Sequence, residues 1–279
     1  LGRVCRRHGV SLLEVTPERL ADVLRQLAAG EVRFGALLDR AWDADPAFRP
    51  LALWARRRRA RLINDPELAE RAWDKATMHL EFITAGVHTP HTLLLAPYEA
   101  EPELPAPDLS PLGDRFLLKP AHGGGGLGVR RNVTTWAQVQ RVRRHNPQEK
   151  YLAQAWVTAR LTADGPEWYR VVYAAGEVLP FWWGVASHRY RPVTRRELAR
   201  HDLGHLRSVV ERIAAVCRLD LFSTEIARRE SDGELVSVDY VNDPIDLRPL
   251  STAVDGIPDD AVRVIAARIA RLAAGTVAR

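Results

Sequence analysis

The segment RFLLKPAHGGGGLGVRRNV, from Arg115 to Val133, constrains the fold of this chain more than any other. An apolar run ends in Lys119, four consecutive glycines follow, and a second segment of strand character comes after them. Glycine gives the backbone conformations that side chains forbid, and successive N–H groups can then surround an anion. We predict an antiparallel hairpin whose glycine-rich tip is a flap over phosphate oxygens, with Lys119 supplying charge at its base. A merely mobile hairpin tip is the alternative.

Two common phosphate-binding loops do not fit this segment. Gly123, Gly125 and Gly128 match G-x-G-x-x-G formally, but a dinucleotide loop must open a helix, and residues 128–133 have the pattern of a strand. In a Walker A loop the lysine follows the last glycine and precedes Ser or Thr, whereas Lys119 precedes the glycines.

Composition limits the class of protein. A chain of 279 residues with 46% apolar residues is expected to form two or three packed lobes. No stretch approaches the roughly 18 to 20 apolar residues of a membrane helix, so we expect no membrane association. Cys5 and Cys217 are too few for a disulfide framework or a cysteine zinc site, which favours the cytoplasm. The chain starts within LGRVCRRHGV without a methionine, and we expect that something upstream is missing.

The net charge of +5 is concentrated in arginine clusters at Arg56–Arg61 and Arg141–His145. Nucleic-acid binding is one interpretation of such clusters. We favour solvated helix faces, because no aromatic stacking residues or zinc-ligand spacing accompany the arginines. An anionic ligand would account for the charge equally well.

Local patterns predict an α/β start and a strand-rich end. SLLEV, a helix from Thr16 to Gly30, and RFGALLDRA form a predicted β-α-β unit on a small parallel sheet. Residues 96–113 are a proline-rich, acidic linker. Hairpins are predicted to turn at Ala175-Gly176 and Asp232-Gly233.

Five segments carry short motifs, in this order: LINDPELAERAWDKATM with AGVHTPHTLLL, FLLKPAHGGGGLGV, YLAQAWV, EWYRVVYAAGEV, and LDLFSTEIARRESDGELVSVDYVND. The order resembles the ATP-grasp superfamily of ATP-dependent carboxylate–amine ligases, in particular its glutathione synthetase and ribosomal-protein glutamate ligase (RimK-like) branch. The resemblance implies an α/β fold with α+β lobes and a nucleotide held between two of them. It implies an N-terminal parallel-sheet domain at 1–64, a helical connecting subdomain and linker at 65–112, a small lobe with the glycine flap at 113–157, and a C-terminal lobe with the metal site at 158–279.

The resemblance also implies the residues that bind ATP. Lys75 and Lys119 would contact the α- and β-phosphates, and the hinge strand would meet the adenine and ribose mainly through its backbone. A surface charge is the alternative for Lys75, and a plain core residue is the alternative for Trp156. The implied nucleotide-binding set is Lys75, Lys119, His122, Gly123, Gly124, Gly125, Gly126, Gly128, Gln154, Ala155, Trp156 and Val157.

Glu225, Asp239 and Asn242 are the implied Mg²⁺ ligands, because magnesium prefers oxygen donors and bridges nucleotide phosphates. The superfamily pattern is acid-x-Asn, whereas this chain has two residues between Asp239 and Asn242. On a regular strand these two side chains would face opposite sides. A bulge or strand end near Val241 must therefore correct the facing, or Asp243 takes over a ligand role.

The resemblance also implies that positively charged side chains in fixed positions act in catalysis. Arg170 matches the superfamily arginine that reaches the transferred phosphate, with Lys119 beside it, and Arg248 is a candidate clamp for a substrate carboxylate. His188 and Arg189 are weaker candidates, and there is no nucleophile elbow such as G-x-S-x-G.

The resemblance thus implies a Mg²⁺- and ATP-dependent ligase that joins a carboxylate to an amine through an acyl-phosphate. The expected substrates are a small molecule or peptide with a carboxylate and an amine co-substrate, and a homodimer is possible. A kinase-like member that phosphorylates a hydroxyl, and a nucleotide-binding module without catalysis, are the alternatives.

Overall fold

The first part of the chain forms a small α/β unit. It contains helices α1 (Gly2–Arg7), α2 (Pro17–Ala29) and α3 (Arg49–Arg57), strands β1 (Ala36–Leu38) and β2 (Arg61–Ile63), and a 3-10 turn at Pro46–Phe48. In this computed structural model, which describes residues 1–275, β1 and β2 pair in parallel. The small N-terminal parallel sheet is therefore present.

The route of the chain through this unit differs from the prediction. The strand expected at residues 11–15 is wrong: this stretch has no regular structure, and Leu12 and Leu13 are exposed. Adjacent leucines of an extended chain point to opposite sides, so they give no continuous apolar face for a sheet to cover. The helix α2 does begin at Pro17 and ends at a left-handed Gly30. The β-α-β unit therefore consists of β1, α3 and β2.

Two consecutive helices, α4 (Pro66–Trp73) and α5 (Lys75–Thr84), connect this unit to the lobes. Asp74 separates them and caps α5, because its carboxylate accepts the N–H groups of Ala76 and Thr77 at 3.0 and 3.4 Å. The cap makes Lys75 the first residue of α5.

The small lobe is a four-stranded antiparallel sheet of β3 (Thr92–Leu95), β4 (Phe116–Pro120), β5 (Arg130–Val133) and β6 (Tyr151–Ala155), in the order β3-β6-β4-β5. One face packs against α6 (Trp136–His145) through Phe116, Leu118 and Val139. The opposite face carries Lys119, which lies beside Leu152 in the register. β3 forms one edge of this sheet, although it falls within residues 65–112, the range that the resemblance implies for the connecting subdomain and linker.

The large lobe is built on a five-stranded antiparallel sheet in the order β11-β10-β9-β12-β13. Its elements are β7 (Leu161–Thr162), β8 (Gly165–Pro166), β9 (Trp168–Ala174), β10 (Glu177–Gly184), β11 (Arg189–Pro192), α7 (Arg195–Arg200), α8 (Gly204–Cys217), β12 (Leu221–Arg228), β13 (Leu235–Asn242) and α9 (Asp259–Ala273). Both predicted hairpins are confirmed, β9–β10 turning at Ala175-Gly176 and β12–β13 around Asp232-Gly233.

Different helices pack on the two faces of this sheet. One face packs on α5 and α8 through residues such as Tyr169 and Val210. On the other face, Val172 and Leu221 pack with Ile265 and Ile269 of α9. Farther along that second face, the alternation of β9 and β12 places Arg170 beside Glu225. Within residues 1–275, no helix is long and apolar enough to cross a membrane.

The N-terminal unit is anchored at the start of β12. Arg61 forms a two-pronged ion pair with Asp220, with Nη2–Oδ2 and Nη2–Oδ1 distances of 2.7 and 2.9 Å. Buried Asn64 accepts the N–H groups of Asp220 and Leu221 at 2.8 and 3.0 Å and donates to the Leu221 carbonyl at 2.6 Å. These bonds fix the end of β2 against the large lobe.

The interpretation of Arg141–His145 as a solvated helix face is wrong for Arg143. Its side chain is fully buried between α6 and the proline-rich linker. Nη2 donates to the carbonyls of Ala96 and Glu101 at 2.8 and 2.9 Å, and Nη1 donates to Gln140 at 2.7 Å. The main-chain carbonyls of the linker thus hold the Arg143 guanidinium in a buried position, although the sequence pattern predicts an exposed one.

Replacing Arg143 should therefore destabilise the fold. We expect Arg143→Leu to lower the free energy of unfolding by about 3 kcal/mol, because the linker carbonyls lose their donor. Arg144→Leu is the matched control, since Arg144 is exposed, and should change stability by less than about 0.5 kcal/mol. Denaturant unfolding measures both. An equal loss in the two variants would contradict this account of the linker.

Candidate functional site

A β-bulge shapes the end of β13. Glu225 lies opposite Asp239, and Ser223 lies opposite Asn242. One residue of β12, Thr224, therefore lies opposite two residues of β13, Tyr240 and Val241. The extra residue restores the facing of Asn242, whose Nδ2 lies 3.1 Å from Asp239 Oδ2. The irregularity that the Asp-x-x-Asn spacing requires is present.

Glu225 is held by two donors on β9. Trp168 Nε1 donates to Oε2 at 3.0 Å, and Arg170 Nη1 donates to Oε1 at 2.9 Å. Burial, and then the neighbouring charge of Asp239, raise the pKa of Glu225. A cation at this position would relieve both effects.

Arg170 is fixed on three sides. Besides Glu225, its Nη2 donates to Ser223 Oγ at 3.1 Å, and its guanidinium lies 4.9 Å from the ring centroid of Trp183. Its Nε is buried without a hydrogen-bond partner. A buried donor without an acceptor is unfavourable, and an anionic ligand oxygen would satisfy it.

Asp239 is the carboxylate on which the positive charges converge. Burial raises its pKa, but the charges of Lys75, Lys119 and Arg170 outweigh burial, so the pKa is lowered. The positive charges therefore favour the ionised form of Asp239. Three cations from three different regions of the chain thus act on one carboxylate.

Lys119 connects the two lobes. Its side chain projects from β4 of the small lobe, and Nζ donates to the Val238 carbonyl of β13 at 3.0 Å. Burial lowers the pKa of Lys119, and the charges of Asp239 and Glu225 oppose that shift. The ammonium group thus bonds to the main chain of the residue that precedes Asp239.

Lys75 and the glycine hairpin are joined at the base of the hairpin. The Lys75 N–H donates to the Ala121 carbonyl at 2.9 Å, and Nζ donates to the Gly123 carbonyl. His122 Nδ1 lies 3.0 Å from Glu149 Oε1, and its ring is in edge contact with Trp73, with centroids 6.0 Å apart. The base is fixed to neighbouring elements.

The glycine segment is a strand–turn–strand, as predicted, and opens no helix. Gly123, Gly125, Gly126 and Gly128 have left-handed φ angles of 106°, 62°, 74° and 76°. A Cβ added at Gly123 through Gly126 would meet nothing within 4 Å. At Gly123, Gly125 and Gly126, glycine is therefore favoured by the backbone conformation and not by close packing.

The candidate hinge strand YLAQAWV consists of β6 and the two residues that follow it, Trp156 and Val157. Gln154 is fully buried on the same face of the sheet as Lys119, and Val157 is also buried. Trp156 is 41% exposed, with the Arg115 guanidinium 5.4 Å from its ring centroid, so it is not a core residue. Ala155 pairs with Phe116 of β4.

Arg248 is not free to receive a substrate in this structure. Its Nε donates to Asp246 at 2.7 Å, its Nη2 lies 3.2 Å from Asp255 Oδ2, and its side chain is 56% exposed. Asp243 accepts Trp42 Nε1 at 3.1 Å, so it faces the N-terminal unit. These contacts separate both residues from the Glu225–Asp239 pair.

The remaining weak candidates lie beside Trp183. The His188 ring stacks on that tryptophan with centroids 5.6 Å apart, and Arg189 is exposed at the start of β11. Sequence reasoning missed Trp168, Trp183, Ser223 and Glu149. Alternation offered one signal: Ser223 and Glu225 are two residues apart and so share a face of β12.

Within residues 1–275, no group of three or more His, Cys, Asp or Glu side chains could hold a metal ion. The candidate set is two carboxylates and an amide: Glu225, Asp239 and Asn242. All are oxygen donors with lone pairs left after the hydrogen bonds described above. Magnesium is commonly bound by one or two carboxylates together with nucleotide phosphates. The donor set fits Mg²⁺ shared with phosphates and lacks the nitrogen and sulfur ligands of a structural zinc site.

Comparison with known proteins identifies similar structures. No protein-family model matches the sequence, and no curated protein matches it significantly. A RimK-domain ATP-grasp protein from Sphaerobacter thermophilus is similar, with a TM-score of 0.65 and 20% identity over 100% of this chain and 94% of that one.

Two ligases have similar structures as well. D-cycloserine synthetase DcsG gives a TM-score of 0.59 at 18% identity, covering 97% of this chain and 92% of that one. D-alanine–D-alanine ligase from Bacillus anthracis, solved with ATP, gives 0.61 at 11% identity, covering 98% and 92%. This chain therefore has the ATP-grasp fold, with a RimK-like structural resemblance.

Proposed function

We propose that this protein is a Mg²⁺- and ATP-dependent ligase that joins a carboxylate to an amine of an amino acid or peptide. The observation that carries the proposal is a cluster of opposite charges between the lobes. Arg170 Nη1 lies 2.9 Å from Glu225 Oε1, and Asp239 lies opposite Glu225 in the sheet. Lys119 Nζ donates to the Val238 carbonyl, beside Asp239, at 3.0 Å, and the charges of Lys75, Lys119 and Arg170 all act on Asp239. A nucleotide triphosphate with a divalent cation supplies the complementary charges. The neighbouring ligase structures support C–N bond formation as the reaction class.

ATP would lie between the lobes in this proposal. Lys75 and Lys119 would exchange their carbonyl partners, Gly123 and Val238, for phosphate oxygens. Glycines 123–126 and 128 would close over the phosphates, and His122 is placed at the edge of that flap. The main chain from Gln154 to Val157 would contact the base and ribose.

Glu225, Asp239 and Asn242 would hold Mg²⁺, which would neutralise phosphate charge during transfer. Arg170 has the central role among the protein groups. Its unpartnered Nε lies in a desolvated site, where a fixed donor acts strongly on developing charge. It is already oriented by Glu225, Ser223 and Trp183, so little reorganisation is needed.

The chemistry needs no side-chain nucleophile. A substrate carboxylate oxygen attacks the γ-phosphorus of ATP, and ADP leaves as the acyl-phosphate forms. The amine then attacks the acyl carbon and loses a proton, and inorganic phosphate leaves. Arg170 stabilises the transferred phosphoryl group and then the tetrahedral oxyanion. Arg248 can clamp a substrate carboxylate in this scheme only if it separates from Asp246 and Asp255.

The reaction class can be tested directly. We expect purified protein with Mg²⁺, ATP and a mixture of free amino acids and short peptides to release ADP and inorganic phosphate in equal amounts, with a condensed product detected by mass spectrometry. Asp239→Asn should abolish all three. A phosphorylated product without free phosphate would indicate the kinase alternative. Nucleotide binding without turnover over broad substrate pools would indicate an inactive module.

Arg170→Lys should lower kcat by about 100-fold or more, because lysine keeps the charge but lacks the planar fork. Nucleotide affinity should remain close to that of the wild type. The matched control is Arg191→Lys: Arg191 stacks 4.8 Å from the ring centroid of Trp182, the neighbour of Trp183 on β10. Successive residues of a strand face opposite sides, so the control lies outside the site. Equal losses in both variants would refute the role of Arg170.

Gly126→Ala should lower kcat/KM for ATP by about 5- to 30-fold, because a side chain in the left-handed region costs about 1–2 kcal/mol. Gly124→Ala is the control: both sites have open space around the added Cβ, but only Gly126 has a left-handed φ. Steady-state kinetics at varied ATP concentration measures both. If the two variants behave alike, flap conformation does not limit nucleotide use.

A further inference from the structure

Tyr240 lies within the bulge that separates two candidate metal ligands. With Val241 it occupies the stretch between Asp239 and Asn242 where the spacing departs from acid-x-Asn. It is 1% exposed and packs in the core with Phe82, their ring centroids 5.3 Å apart. The side chain therefore points from the metal-carrying strand into the protein.

The Tyr240 hydroxyl joins two other elements. It lies 2.7 Å from His79 Nδ1 on α5 and 2.9 Å from Gln154 Nε2 on the candidate hinge strand. His79 and Gln154 are 3% and 0% exposed. Water cannot replace these bonds at such depth, so the hydroxyl is held firmly.

The direction of each hydrogen bond follows from its neighbours. Thr92 Oγ1 donates to the Pro90 carbonyl at 2.9 Å and accepts from Gln154 Nε2 at 3.2 Å. Gln154 Nε2 also donates to Tyr240, while Gln154 Oε1 is buried without a hydrogen-bond partner. Tyr240 must then donate to His79, and burial lowers the pKa of His79 to about 4, which leaves an acceptor nitrogen available.

The main chain of the bulge is held from the opposite side. Thr224 lies opposite the bulge, and its Oγ1 donates to the Asp239 carbonyl at 2.9 Å. Thr224 thus fixes the start of the bulge, while Tyr240 fixes its middle. If the bulge were lost, regular alternation would turn Asn242 away from Asp239.

We propose that Tyr240 is a positioning residue for the divalent cation: its hydroxyl holds the bulge that places Asn242 beside Asp239. The inference rests on the proposed function, in that Asp239, Asn242 and Glu225 are the cation ligands. Tyr240 itself contacts neither the cation nor the nucleotide. It affects cation binding by fixing the backbone conformation of residues 240–242.

The test measures cation affinity without turnover. Terbium(III) is a suitable probe, because Trp168 Nε1 lies 3.0 Å from Glu225 Oε2 and can sensitise luminescence at the site. Mn²⁺ binding with ADP, followed by electron paramagnetic resonance, provides a second measurement. We expect Tyr240→Phe to weaken both affinities by about 10-fold, the lower end of the effects found for groups that orient metal ligands.

Tyr169→Phe is the matched control. Tyr169 is also fully buried, in the same apolar cluster, and its hydroxyl donates to Glu167 at 3.1 Å, but it lies on β9 and not in the bulge of β13. Both variants should lose a similar amount of thermal stability, and only Tyr240→Phe should lose cation affinity. If Tyr240→Phe does not fold, His79→Leu removes the same hydrogen bond and should weaken affinity in the same direction.

A double-mutant cycle tests the route of the effect. In an Asn242→Ala background, Tyr240→Phe should cause no further loss of affinity, because the ligand that it positions is absent. Unchanged affinity in Tyr240→Phe, with binding by the wild type intact, would overturn this inference and leave the proposed function standing. A wild-type protein that binds neither cation would instead overturn the proposed metal site, and this inference with it.

Discussion

The structure depends on mutual neutralisation of charges that are withdrawn from water. Lys119, Arg170, Glu225 and Asp239 are largely shielded from solvent, and each is unfavourable there without a partner of opposite sign. The Arg170–Glu225 ion pair joins β9 to β12, and the Lys119 contact with Val238 joins the small lobe to the large one. The arrangement holds the lobes in register and leaves several donors able to exchange protein partners for a ligand.

Backbone conformation could be predicted from sequence where residue type dictates it. The glycine hairpin, the turn at Ala175-Gly176 and the turn at Asp232-Gly233 follow from local preferences, and the structure contains all three. The requirement for an irregularity before Asn242 followed from the period of a strand. The ligand roles of Glu225, Asp239 and Asn242 remain a proposal.

Contacts between distant segments could not be predicted in this way. Nothing in the local sequence places Trp183 over Arg170, and a helix pattern does not distinguish buried Arg143 from exposed Arg144. Ser11–Val15 has a strand-like composition but lies outside the sheet that β1 and β2 form. Arg248 follows the acidic motif in sequence, but its pairing with Asp246 and Asp255 depends on how that loop folds back.

The position of β13 explains how an unusual ligand spacing can be accommodated. β13 is the edge strand of its sheet, so a bulge there disturbs the ladder with one neighbour, β12, and not two. An inserted residue at such an edge changes the count along the sequence and leaves the facing of the following side chain intact. The number of residues between two ligands is therefore a poor guide to which positions of two related sequences are equivalent at this edge. Alignments that match Asn242 by counting from Asp239 would assign its place to Val241, while superposition of the two strands would not.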